Sequence, residues 1–154
     1  MHLSASLATD PMTLNGHILD GVVSFRIDDI AQIRGAFAFE FDHGEISEPD
    51  APVLIYLIEL MHFFGDLTSS DGVHSLQLYF EPRLYASVKN SKVTFTLFRP
   101  DEARPSGVLE TVSIDEAKAM HYEVERQAKK LFHRFSGPLE EYLWSLARAR
   151  QRGV

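Results

Sequence analysis

A chain of 154 residues, 45% of them hydrophobic and 24% charged, can bury a sizeable core and is too rich in apolar and aromatic residues to stay disordered. It has no Cys, which excludes disulfides, thiolate metal sites and a Cys nucleophile, and fits a reducing, cytoplasmic compartment. The formal charge of −7 is split: residues 1–82 carry thirteen Asp or Glu against two Arg, and residues 83–154 carry nine against thirteen Lys or Arg. Asymmetry of this kind bears on partners rather than on fold.

The length suits one domain. Met1 to Asp10 has no Lys or Arg and no long apolar run, so it does not read as a secretory signal. The longest apolar run, Val53 to Leu60, is broken by Glu59 and falls far short of the ~20 residues a membrane span needs. Residues 1–15 have weak periodicity broken by Pro11 and Asn15-Gly16, which predicts a flexible arm or a short first strand. From Val22 the period becomes two. Val23, Phe25 and Ile27 alternate with Ser24 and Arg26; after Asp28-Asp29, Phe37, Phe39 and Phe41 alternate with Ala38 and Glu40. Alternation places one face in a core and one in water, and the acidic break reads as a hairpin turn. Asp42-His43-Gly44-Glu45 is a second turn signal.

Pro49-Asp50-Ala51-Pro52 announces a helix, with Asp50 as cap and Pro52 where no donor is needed. Val53 to Phe64 is apolar nearly all round, apart from Glu59 and His62, so a helix over about 51–64 should be buried, with Gly65 ending it. Leu76, Leu78 and Phe80 alternate with Gln77 and Tyr79. After Glu81-Pro82, the run Leu84, Ala86, Val88 is joined by Asn90-Ser91 to the run Val93, Phe95, Leu97, the clearest hairpin in the chain. Residues 100–107 read as a loop and Val108 to Val112 as a last strand. Ser113-Ile114-Asp115-Glu116 matches a capping box. It opens an amphipathic helix over about 114–135, and Gly137-Pro138 separates this from a final helix over about 138–151. The order predicts an α+β fold: an antiparallel, curved sheet of about five or six strands with the buried helix and two C-terminal helices packed on it.

Local motifs for chemistry are sparse. Glu59 and His62 share a helix face with Tyr56 and Asp66, but dimetal bundles need two such pairs and two further Glu, and a mononuclear site needs three convergent ligands. The plainer reading is one wet edge on a buried helix. The seven His are scattered, and His121 and His133 lie ~18 Å apart along one helix. There is no Gly-x-Ser-x-Gly and no glycine-rich phosphate loop. No catalytic residue, metal or cofactor is therefore assigned. From Arg126 to Arg152 seven Lys or Arg face two Glu, but Arg148, Arg150 and Arg152 suit a helix C-terminus, and the net-acidic chain argues against nucleic acid.

The acidic half offers the better lead. Asp28, Asp29, Glu40, Asp42, Glu45, Glu48 and Asp50 fall within 23 residues, offset only by Arg34. A solvated, solubilising surface explains them equally well. The functional expectation is a non-enzymatic protein-binding module, most concretely an antitoxin- or immunity-type inhibitor. Its acidic surface would take a basic partner, and Tyr79, Tyr85 and Phe98 would serve as aromatic anchors. The alternative is a small-ligand-binding or enzymatic domain with Glu59 and His62 in a pocket, Glu59 acting as general base. A third reading is a homodimer formed through an edge strand at Val93 to Phe98.

Overall fold

A computed structural model of the chain describes residues 1–8, 17–19, 22–76, 78, 83–98, 107–135 and 137–149. In chain order the elements are β1 (His2–Leu7), β2 (His17–Leu19), β3 (Val22–Ser24), α1 (Ile27–Ala31), β4 (Gly35–Phe41), β5 (Gly44–Ala51) and α2 (Val53–Leu67). There follow β6 (Gly72–Leu76), β7 (Arg83–Lys89), β8 (Lys92–Phe98), β9 (Val108–Ser113), α3 (Ile114–Phe132) and α4 (Pro138–Ala149). The class is α+β, with antiparallel pairing throughout.

The expected single sheet is divided. One sheet has the order β1-β4-β5, a second the order β6-β7-β8-β9, and among the described residues β2 pairs with β3 alone. Asp28-Asp29 do not form a hairpin turn. They lie in α1, where Asp29 Oδ2 accepts from Arg26 N at 3.0 Å, a local cap that outcompetes continued strand. The strand they were to turn into, β4, pairs instead with β1. Partner choice over that separation leaves no trace in the period-two pattern.

The helix start is displaced too. The β4–β5 ladder runs on to the pair Gly35–Ala51, so Asp50 is extended in β5 and Pro52 occupies the cap position without a side-chain bond. Gly65 lies inside α2 rather than past its end. The helix stops where Thr68 Oγ1 donates to Phe64 O (2.6 Å) and Ser69 Oγ to Gly65 O (2.6 Å), hydroxyls taking over its last carbonyls. The third strand block begins earlier than the sequence implied, at Gly72, and Tyr79 lies outside the described residues. The two-residue turn between β7 and β8 is as read: Asn90 and Ser91 both have positive φ, 53° and 61°, which matches the right-handed twist of the strands. The Ser113 half of the capping box is present, with Oγ accepting from Glu116 N at 3.1 Å.

The apolar positions of both sheets face inward onto α2. Phe39 stacks on Phe64 (6.0 Å between centroids), Phe64 meets Phe95 (6.1 Å), and Phe95 meets Phe41 (5.2 Å), so the helix joins the cores of the two sheets through aromatic rings. Full burial of one such side chain contributes roughly 1.5–3 kcal/mol. The amphipathic α3 covers this layer with Ala117, Met120, Val124, Ala128 and Leu131. It is tied to β1 by Gln127 Nε2 donating to Leu3 O at 2.7 Å. Among the described residues no helix is long and apolar enough to cross a membrane.

Candidate partner-binding surface

The acidic residues of the first half do not form one patch. Glu40, Asp42 and Glu45 gather at the tip of the β4–β5 hairpin. Glu40 and Glu45 are exposed and directly opposite each other in register, and Asp42 lies in the turn between them. Across the sheet the row is completed by His2, the neighbour of Glu40 on β1. None of the three carboxylates has a hydrogen bond or ion pair with a described residue. Two like charges facing each other across a ladder oppose folding by roughly 0.2–1 kcal/mol.

The tip is held against the second sheet. His43 N donates to Leu109 O (3.0 Å) and Asp42 N to Glu110 Oε1 (3.0 Å), which brings β9 alongside the turn. Glu110 also accepts from the Met1 amino group at 3.2 Å. The approach is close at Gly44: a Cβ there would come within 2.7 Å of Leu109 Cδ2 and displace the end of that side chain. Glu110 was not a candidate from the sequence, because an isolated Glu in a strand gives no sign of the backbone N–H and amino terminus that the fold brings beside it.

The remaining acids are placed elsewhere and are engaged. Glu48 lies two residues past buried Ile46 and opposite Phe37, so it sits on the inner side of the sheet and accepts from Tyr56 OH at 2.8 Å. Burial first, then this bond to Glu48, pushes the Tyr56 phenol far above its ordinary range. Asp50 is taken by Arg34, whose Nε donates to Oδ1 at 3.0 Å and whose Nη2 donates to the Asp50 carbonyl at 2.8 Å. Asp29 caps α1 and lies near Tyr142, whose phenol is raised by burial and, less, by that carboxylate. Asp28 is exposed on α1. Glu40 lies five residue steps along β4 from Gly35 at the opposite end, a span of ~17 Å. The tip and the Arg34–Asp50 end are therefore distinct surfaces.

Of the aromatic candidates, Tyr85 and Phe98 meet edge to face at 6.1 Å on the outer side of β7 and β8. Val108, 53% exposed, pairs with Thr96 on the same strand as Phe98 and precedes the Leu109 that holds the acidic tip. Beside Asn90-Ser91, Lys89 faces Lys92 in register, a cationic pair that the sequence reading did not single out. The edge-strand reading of Val93 to Phe98 fails. β8 lies between β7 and β9, with ladders on both sides, and the outer strands of that sheet are β6 and β9.

Glu59 and His62 part company. His62 lines a cavity of about 380 Å³ between α2 and α3, with Asp66 and His121, whereas Glu59 is not among the residues of its wall. Among the described residues no group of three or more His, Asp or Glu is placed to hold a metal ion.

Fold and surface together define an α+β domain of two antiparallel sheets around a buried helix, with an acidic hairpin tip. Comparison with protein-family models, with curated proteins and with solved structures finds no match to this chain.

Proposed function

We propose that the chain is a non-enzymatic protein-binding module that takes a basic partner on the tip of the β4–β5 hairpin. The observation that carries this reading is the in-register Glu40–Glu45 pair, joined by Asp42, with no ion pair to a described residue. A pair that opposes folding, exposed and left unrelieved, is relieved by a cationic surface. The backbone bonds to Leu109 and Glu110 support the reading further, because a tip already fixed in place has less freedom to lose on binding. Val108 and the Tyr85–Phe98 pair offer apolar area beside the charges, where anchoring energy concentrates. The most concrete version is an antitoxin- or immunity-type inhibitor that covers Lys and Arg of its target. In this reading Asp50 and Glu48 serve the fold rather than the partner.

The test is differential capture from the native host. Wild type and a Glu40→Gln, Asp42→Asn, Glu45→Gln triple variant are used as paired baits, and the binding rate of the captured protein is measured against salt. A basic protein retained by wild type and lost by the triple variant, with association slowing steeply as salt rises, is expected. Identical capture by both baits removes the proposal.

A further inference from the structure

β1 is an outer strand: β4 pairs with one side of it and, among the described residues, no strand pairs with the other. In an antiparallel ladder alternate residues turn both N–H and C=O toward the neighbour. Here the even-numbered residues do so. Ala8 N donates to Arg34 O at 3.0 Å, and Ser6 O lies so close to β4 that a Cβ on Gly35 would collide with it. The odd-numbered residues face away, and Leu3 O accepts from Gln127 Nε2 of α3 at 2.7 Å. A side-chain amide thus stands in for a missing strand at Leu3. The outward N–H and C=O of Ala5 and Leu7 have no such partner among the described residues.

Proteins guard open edges with charges, Pro or cover, because unpaired backbone recruits another chain. Two other edges of this fold are guarded. β5 carries Pro49 with Glu45, Glu48 and Asp50, and on β9 the Leu109 carbonyl is taken by His43 N. β1, with the sequence HLSASL, has neither Pro nor Lys nor acid. Beside its edge, Leu3, Ala5, Gln127, Lys130 and Leu131 line a groove of about 210 Å³ between β1 and α3. That is below the roughly 300 Å³ at which small-molecule sites begin, and it suits single side chains of a bound strand. The charge of the groove selects the occupant. Arg126 is engaged with Glu123, at 2.8 and 2.6 Å, whereas Lys130 is exposed and has no ion pair with a described residue. A second β1 is the wrong occupant, because antiparallel pairing centred on Ala5 would set the two copies of Lys130 beside each other.

We propose that the outer edge of β1 takes an extended acidic peptide of a partner protein as a further strand, with the Ala5 backbone pairing its main chain and Lys130 its carboxylate. His2, at the other end of the groove, lies beside Glu40, so the carboxylate belongs at the Lys130 end. Ala5 pairs with Phe37, three steps or ~10 Å along β4 from Glu40, which makes this site separate from the hairpin tip.

The experiment selects phage-displayed random octapeptides on the immobilised full chain and resynthesises the enriched sequence. The expected sequence has Asp or Glu among β-branched residues and no Pro in its middle. Its binding should protect the Ala5 and Leu7 amides from hydrogen exchange and leave Ser4 and Ser6, already in the ladder, unchanged. N-methylation of one alternate set of peptide amides should abolish binding, and methylation of the other set should leave it intact. Lys130→Glu, an exposed change, should weaken binding about five- to tenfold. Ala5→Pro, which removes an N–H that the β4 ladder does not use, should abolish it. The Glu40→Gln, Asp42→Asn, Glu45→Gln variant should bind the peptide as wild type does, so failure here and failure of the hairpin-tip reading are distinguishable. The proposal is overturned if no peptide is enriched or the enriched ones carry no acid, if Lys130→Glu or Ala5→Pro binds as wild type does, or if both methylated peptides bind alike. Protection of Ala5 and Leu7 on raising the concentration of the chain alone also overturns it, because the occupant is then a second copy.

Discussion

Glu45→Lys should make the isolated protein more stable while removing its proposed binding surface. Glu40 and Glu45 face each other across the β4–β5 ladder, where side chains start ~5 Å apart. Two unit charges ~5.5 Å apart in water repel by about 0.8 kcal/mol. A Debye length of ~10 Å at 0.1 M salt lowers this to about 0.4 kcal/mol. Changing one sign turns the repulsion into an attraction of similar size, so the swing is about 0.8–1 kcal/mol, within the range seen for cross-strand pairs. In a chain of this length that amounts to a Tm rise of roughly 2–4 °C. Glu45→Gln, which deletes the repulsion without adding attraction, should deliver about half. In 1 M salt, where the Debye length is ~3 Å, the gain should fall to about 0.2 kcal/mol. Urea melts of the three proteins at low and high salt measure all of this. A Glu45→Lys protein no more stable than Glu45→Gln at low salt, or a gain that persists unchanged at high salt, refutes the premise that the tip carries unrelieved charge.

Other expectations follow from the same geometry. Tyr56→Phe strips the half-buried Glu48 carboxylate of its 2.8 Å donor and should cost ~1.5–3 kcal/mol in chemical denaturation, with Tyr56→Phe and Glu48→Gln non-additive in a double-mutant cycle. Ser113→Ala removes the acceptor for Glu116 N at the start of α3 and should cost ~0.5–2 kcal/mol, most of it recovered by Ser113→Asp. Hydrogen bonds from Arg126 and then Gln127 hold the Glu123 carboxyl at about 2, below its ordinary 4.5. A depressed carboxyl stabilises the fold above its unfolded pKa, so this contribution is whole above pH 4.5 and disappears as pH falls through about 2. In Arg126→Gln the Glu123 titration, followed by carboxyl-carbon NMR, should move up toward 4.5.

Local patterns were legible where a local cause decides the structure. The Ser113 cap, the Asn90-Ser91 turn and the nearly continuous apolar surface of α2 are each set by residues within a turn or two, and each is present. Pairing at a distance was not legible. Nothing in β4 says that its neighbour is β1 rather than β3, and the sheet was therefore drawn as one when it is two. The acidic candidates failed in the same way. Seven carboxylates close in sequence look alike, yet Glu48 shares the inner face of β5 with Ile46 and Arg34 captures Asp50, while Glu40, Asp42 and Glu45 stay outward. His62 was visible as the odd residue on an apolar helix. His121, its counterpart across the cavity, was not, because only the packing of α2 on α3 brings them to one wall.

The fifteen residues of α2 have almost no outward position: solvent reaches only Glu59, Gly65 and Asp66, and the other twelve are buried. Substitutions accumulate most freely where a side chain meets water, and this segment gives them little room. Descendants of a common ancestor could diverge at the hairpin tip and around the sheets' outer sides while keeping the stretch from Val53 to Leu67 recognisable. A distant cousin of this chain would show itself there first.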